Sequence, residues 1–498
     1  GEQNTNRALA ILATGGDTAE AEKLLAVQSD YIRRRFDCSD FYLVYYPYIL
    51  RTFGKRGSGI LSEKTENELT DCLLGFRYWI DEPGNDAMWF WSENHALMFH
   101  TCQLLAGELF PDEVFTNSGL TGRQMQAKAK NMLYDWFVTF RKEGFTEWNS
   151  SPYLPIDTLG FGSLYAFAQD PAMRELGREG MDFAYYLLAV HSQQGIFASS
   201  SGRTYIKEQF GNWSNCPSGL SWIGYGYGVP GHAGKGITSY CLSDYEPPKE
   251  FAQWFSIPRG KEMICQTTQG NDGYVDLYTY KTADYMMTSA NDFHPGEPGH
   301  QENPFQLTFN AVAQLWVTHP GERVLFGAAR PSYWAGNGTL PKVNQYKAFA
   351  GLIYDIAPEH PVDFTHLYLP SMEFDRCEVE GKWAFVQLGS AYAAVYCSNG
   401  IRMQDFGSNK DRECIAEGRR CIWLVRAAQA DEFAAFDDFK AAMRGAALDA
   451  DAEGRRYRFV DPVYGELRCQ WGETLYVNDA PMQYSGFDNY GKLTMQEK

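Results

Sequence analysis

The hydrophobic period of this chain changes once along its length, and that change restricts the fold more than any motif does. From the start to about residue 192, apolar residues recur at helical spacing; beyond about residue 245 they alternate with a period of two. Helices first and strands second point to segregated layers rather than alternating βαβ units. In the first stretch, Asp170-Pro171 supplies an N-cap and a first-turn proline, followed by Met173, Leu176, Phe183, Leu187 and Leu188 along one face. Met125, Ala129, Met132, Trp136 and Phe140 form a second stripe, and Leu24, Leu25, Tyr31 and Ile32 a third. About eight helices are expected. In the second stretch, residues 274–280 alternate behind the turn signal Asn271-Asp272-Gly273, and 383–388, 392–397 and a pair around Tyr464-Gly465 read as further strands. The expected fold is an α+β multidomain chain. A helical domain over residues 1–247 is divided at Pro247-Pro248 from a large antiparallel β-sandwich over 248–498, with a smaller C-terminal β-subdomain from about residue 375.

The formal charge of −18 argues against nucleic acid and anionic membrane surfaces as partners. It leaves room for an anionic substrate, because a few Arg and Lys in one cleft override the net sign locally. No stretch of about 18 uncharged apolar residues occurs, so a membrane span is not expected. The 11 Cys are scattered singly from Cys38 to Cys469 without a Cys-x-x-Cys pair, which disfavours a disulfide framework or zinc ribbon and favours a reducing compartment over export. Aromatic residues make up 15% of the chain, either as an aromatic-rich core or as flat faces for sugar rings.

Four polar clusters stand out. Trp89-Phe90-Trp91-Ser92-Glu93-Asn94-His95 runs aromatics into polar groups that open a helix, where the dipole and spare N–H groups favour an anion. A capping Asn beside a satisfied buried His is the structural alternative. Glu147-Trp148-Asn149-Ser150-Ser151-Pro152-Tyr153 lies between two expected helices, with Pro152 holding the chain extended so that Tyr153 points from a loop. In Ser199-Ser200-Ser201-Gly202-Arg203-Thr204-Tyr205-Ile206-Lys207, residues Arg203, Tyr205 and Lys207 fall at alternate positions and share one side of an extended strand. A solvated edge strand would look the same. The fourth cluster, residues 291–303, is too polar and too rich in Gly and Pro for a core. Its His294 and His300, with a carboxylate, offer metal ligands at a spacing that matches no tight zinc pattern. The Gly-rich passage from 195 to 245 adds Trp213, Trp222, Tyr225 and Tyr227 as stacking platforms.

Together these clusters resemble the polysaccharide lyases that join a helical toroid to a β-sandwich: the heparinase II/III-like, oligoalginate and chondroitin/hyaluronate group. Asn94-His95 at a helix start, Tyr153 about sixty residues on, and Gly299-His300 in the first sandwich strands match the heparinase-like and oligoalginate branches. Gly202-Arg203-x-Tyr205 looks more like the chondroitin/hyaluronate branch. The resemblance implies an incomplete (α/α) toroid followed by the sandwich, and β-elimination on an anionic, uronate-containing polysaccharide or oligosaccharide. The run His300-Gln301-Glu302 departs from the His-x-Asp form common in heparinase-like loops, so the spacing does not support the family's structural zinc there.

Such a reaction removes the C5 proton of a uronate, whose carboxylate must be neutralised, and expels the C4 oxygen. Asn94 and His95, with Arg203, suit neutralisation. Tyr153 is the expected acid, and base as well where both groups lie on one face of the ring, with a cation such as Arg203 favouring its phenolate; His95 is the alternative base, and Tyr205 and Tyr227 are reserves. Trp91, Glu93, Trp148, Asn149, Lys207, His294 and His300 are the expected substrate contacts, and no cofactor is required. Two other readings compete: an inverting hydrolase using Glu93 with Glu147 or Asp157, and a glycan-binding protein without catalysis.

Overall fold

The computed structural model describes residues 4–86, 88–210, 215–230, 236–270 and 274–498, with Cys216 described by its backbone alone. Trp213 and the turn signal at 271–273 lie outside the described residues. The helices of the first half are α1 (Asn4–Ala13), α2 (Thr18–Arg33), α3 (Asp40–Leu43), α4 (Tyr46–Phe53), α5 (Glu63–Gly75), α6 (Glu93–Leu109), α7 (Gly122–Glu143), α8 (Leu154–Phe167), α9 (Pro171–Val190), α10 (Ile206–Phe210), α11 (Cys216–Tyr225) and α12 (Ile237–Cys241). Polar side chains start several of them. Asp17 Oδ1 accepts the Ala19 N–H at 2.9 Å, Ser62 Oγ accepts that of Thr65, and Asp170 Oδ1 accepts that of Ala172 at 2.8 Å, the cap expected for α9.

On α7 the buried stripe is Met125, Ala129, Leu133, Phe137 and Phe140; Met132 and Trp136 are only half-buried, because the stripe advances by four residues where the sequence reading advanced by three. By contrast, α6 and α8 are buried along nearly their whole length. A helix that is apolar all round belongs to the interior. These two pack together, and Gly160 permits it: a Cβ there would lie 2.8 Å from the Leu97 side chain. Helices near in sequence pair through this region, α1 with α2, α2 with α5, α4 with α5 and α6, and α8 with α12.

The chain forms two compact units. The first is drawn from Gly1–Lys142, Tyr153–Tyr185 and His232–Pro248, the second from Glu143–Pro152, Tyr186–Gly231 and Lys249–Lys498. The period change near residue 247 therefore marks the last of several crossings. Two earlier segments, carrying Trp148 and Arg203, are built into the second unit, where backbone bonds tie them to strand-region residues. Ser201 exchanges bonds with Asn303, and the Thr204 N–H donates to Gln301 O.

In the second unit every strand pairing is antiparallel. A nine-stranded sheet runs from Arg402–Met403 through Glu413–Glu417, Phe364–Tyr368, Gln314–Thr318, Phe305–Thr308, Met286–Asn291, Val275–Lys281 and Lys261–Gln269 to Lys492–Glu497. A six-stranded sheet orders Lys342–Tyr346, Phe349–Asp355, Arg420–Gln429, Ala391–Cys397, Trp383–Leu388 and Arg376–Glu380. The two share one core, to which the first gives Tyr280, Met287 and Leu315 and the second Leu352, Tyr392 and Trp423. This is the expected sandwich following a helical region. Strands from residue 376 to 429 belong to the shared core, and a separate five-stranded sheet begins only at Leu448–Asp451. Among the described residues no helix is long and apolar enough to cross a membrane, and the ten described cysteines are free thiols.

One buried charge cluster locks the end of the sandwich. Arg426, 2% exposed, donates to Asp461 and Glu432 at 2.7 Å each and stacks 4.2 Å over Tyr464. Removing the cation leaves Asp461 buried without a charge partner, while Glu432 keeps Lys498 at 2.7 Å. Arg426→Ala is expected to cost about 3–5 kcal/mol in the unfolding transition of the second unit, followed by denaturant titration; a loss below about 1 kcal/mol would mean that water solvates these carboxylates.

Candidate active site

The start of α6 gathers the strongest chemistry of the first unit. Asn94 and His95 are buried, and the Asn94 amide is fixed through its oxygen: Oδ1 accepts the Ser92 hydroxyl at 2.6 Å and the His95 N–H at 2.8 Å. Its Nδ2 has no hydrogen-bond partner among the described residues. Asn94 is therefore not the cap of the helix. That position belongs to Ser92, leaving the Asn94 amide N–H groups for another acceptor.

His95 is held by a residue 55 positions earlier. Its Nδ1 lies 2.8 Å from Oδ2 of Asp40, the first residue of α3, which is fully buried, and its ring stacks on Phe41 at 4.7 Å and 11°. Burial alone would lower the imidazole, but the charge and hydrogen bond of Asp40, with help from Cys38, outweigh it and raise the pKa to about 10. Burial raises the Asp40 carboxyl as well, so the pair keeps its shared proton through neutral pH, on His95 wherever Asp40 stays ionised. A few residues earlier in the chain, Trp89 and Trp91 are exposed, with ring centres 4.8 Å apart and planes tilted by 47°. Ligand atoms of Asp37, Cys38 and His95 come within 4.8 Å of one another, close enough for a small cation. A protonated imidazole has no lone pair to offer, so proton and cation are alternatives there.

Tyr153 occupies the N-cap position of α8, in the same unit, where its carbonyl accepts the Ile156 and Asp157 N–H groups. It is half-buried. The expected loop placement becomes a helix start because Leu154-Pro155 opens α8 directly after it.

The clusters of the second unit change more. Trp148, expected as a substrate contact, is 1% exposed and packs with Phe293, Leu277 and Leu340. It is core. Gly202 explains the seat: its N–H donates to Trp148 O, and a Cβ at 202 would lie 2.6 Å from the indole nitrogen. Asn149 is likewise buried, with φ of 48° and its amide nitrogen donating to Ser200 O. The expected extended run through Arg203, Tyr205 and Lys207 breaks at Ile206, where α10 begins; Ile206 and Phe210, four apart, suit one turn of helix better than a strand. Arg203 and Tyr205 still meet, Nη2 donating to the phenol oxygen at 3.2 Å, and Arg203 pairs with Glu147 at 3.4 Å. Trp222 is exposed, while Tyr225 and Tyr227 rest on Phe255. His294 pairs with Glu297 at 3.3 Å and His300 is exposed, and among the described residues no third donor joins them into a metal site.

Of the carboxylates a hydrolase would need, Asp157 is 3% exposed and Glu147 faces Arg203. The residue that sequence reasoning missed is Asp40, which no local pattern marks and only the fold brings to His95.

No family model matches the chain, and no curated protein is similar to it in sequence. Among solved structures it is similar to one titled "Crystal Structure of Heparinase III", at 10% identity and a TM-score of 0.46 over 97% of this chain and 82% of that one. A heparinase III described as the BT4657 gene product gives 10% identity and a TM-score of 0.38 over 99% and 83%.

Because the folded pKa of His95 lies above its unfolded value near 6.5, its pairing stabilises the fold below that value, and the contribution is lost as pH rises through about 10. Followed by NMR, the imidazole should stay protonated through neutral pH in the wild type. In Asp40→Asn burial prevails, and the ring should be neutral at pH 7. Titration near 6.5 in both proteins would refute the pairing.

Proposed function

We propose that this chain is a polysaccharide lyase that cleaves a uronate-containing glycan by β-elimination, leaving a 4,5-unsaturated uronate at the new end. The observation that carries the reading is the pairing, at one helix start, of a charged His95 with an Asn94 amide whose nitrogen has no partner. A uronate carboxylate set there would receive charged and neutral donors at once, and the helix dipole adds to both. Neutralising that carboxylate is the costly part of the reaction, since its charge must spread into an aci-carboxylate as the C5 proton leaves.

This assignment narrows the role of His95. An imidazolium held by Asp40 stabilises negative charge but cannot take a proton, so the base is sought elsewhere. Tyr153 is the group we assign to proton transfer: its phenolate takes the C5 proton, and the phenol so formed returns a proton to the C4 oxygen as the glycosidic bond breaks. The electron pair of the C5–H bond becomes the C4–C5 double bond, and no water enters the product. Trp89 and Trp91 would carry the apolar face of a neighbouring sugar. We infer no cofactor.

The test is ultraviolet absorbance of the conjugated product, with polyuronates and glycosaminoglycans as a panel and a chelator present throughout. At least one substrate should give a rise, reduced about 10²–10⁴-fold in Tyr153→Phe. New reducing ends without absorbance, or full activity in that variant, would overturn the reading.

A further inference from the structure

A pocket of about 280 Å³ in the second unit has walls unlike the rest of this acidic chain. It is lined by Tyr205, Lys207, Gln301, Arg330 and Ser332, with small residues from the loop Gly327 to Ala329, and none of the described residues lining it is acidic. Lys207 and Arg330 are exposed, and neither has a carboxylate partner among the described residues. In a chain of formal charge −18, two unpaired cations on one pocket wall require an explanation.

The wall is also built for a ligand. Guanidinium groups of two arginines, Arg203 and Arg330, lie 5.6 Å and 5.3 Å from the centre of the Tyr205 ring, so the phenol holds both in place. Gln301, 3% exposed, gives its amide nitrogen to Thr204 O at 2.8 Å, and its Oε1 has no partner among the described residues. That oxygen is an acceptor for a hydroxyl. The loop that carries Arg330 is pinned by Glu322, which accepts the Ala329 N–H at 3.0 Å, and Gly327 leaves room for this, since a Cβ there would lie 2.2 Å from the same carboxylate oxygen.

We propose that this pocket is a subsite for an oxyanion borne by the glycan, sulfate ester or carboxylate, with Lys207 and Arg330 as the residues that select for it. The proposal rests on the lyase reading for the identity of the ligand. A planar guanidinium and an ammonium suit the oxygens of either group, and Gln301 would take a neighbouring sugar hydroxyl.

Calorimetric binding to the Tyr153→Phe protein tests it, using uronate oligosaccharides with and without sulfate esters. Lys207→Ala and Arg330→Ala should each weaken binding about ten-fold or more, with Arg330→Lys intermediate. A loss seen only with sulfated chains identifies sulfate as the bound group; an equal loss with both identifies the carboxylate. Unchanged affinity in both variants, with folding verified by circular dichroism, would overturn the proposal. If the variants lose affinity while the wild type yields no unsaturated product, the subsite stands and the lyase reading falls.

Discussion

A carboxylate with no water around it cannot stay ionised alone, and Asp40 is fully buried. His95 is what it has been given. The two interact across 2.8 Å, and the consequence reaches beyond stability, because the proton they hold sits at the start of α6, with Cys38 also bonded to the ring. The same pairing excludes a role: a ring kept protonated up to a pKa of about 10 is a donor and a cation, not a base. On the proposed reading, neutralisation therefore falls to His95 and Asn94, and proton transfer needs a separate group, for which Tyr153 is proposed.

The second unit solves a different problem with the same means. There Tyr205 holds two arginines on its ring: Arg203, which also pairs with Glu147, and Arg330, which has no ion pair among the described residues. Arg426 shows the contrast within one unit, since two acids and Tyr464 enclose it and it can do nothing but hold the sandwich together. Arg330 sits on Tyr205 with no ion pair among the described residues and, on the proposed reading, stays available to an anion. Which cations are structural and which are functional is decided by the company they keep, not by residue type.

Much of this was legible in the sequence, and its limits have physical reasons. The change of period marks where helices give way to strands, and Asn94-His95 announces itself by following three aromatics into a helix. Burial is harder to read. Trp148 resembles a substrate contact in sequence, yet it fills a space that exists only because Gly202 has no side chain. Alternation through Arg203, Tyr205 and Lys207 suggests a strand, but a single helical turn from Ile206 is enough to end it. Asp40 and Arg330 lie in stretches without a motif, and long-range pairs of this kind leave no local trace.

The account stands on elimination, in which no water enters the products. Digestion in water enriched in heavy oxygen, read by mass spectrometry, separates the two chemistries directly. The account predicts fragments whose new ends carry no heavy oxygen, one of each pair being an unsaturated uronate. Heavy oxygen incorporated at the cleaved bond would show hydrolysis and contradict it.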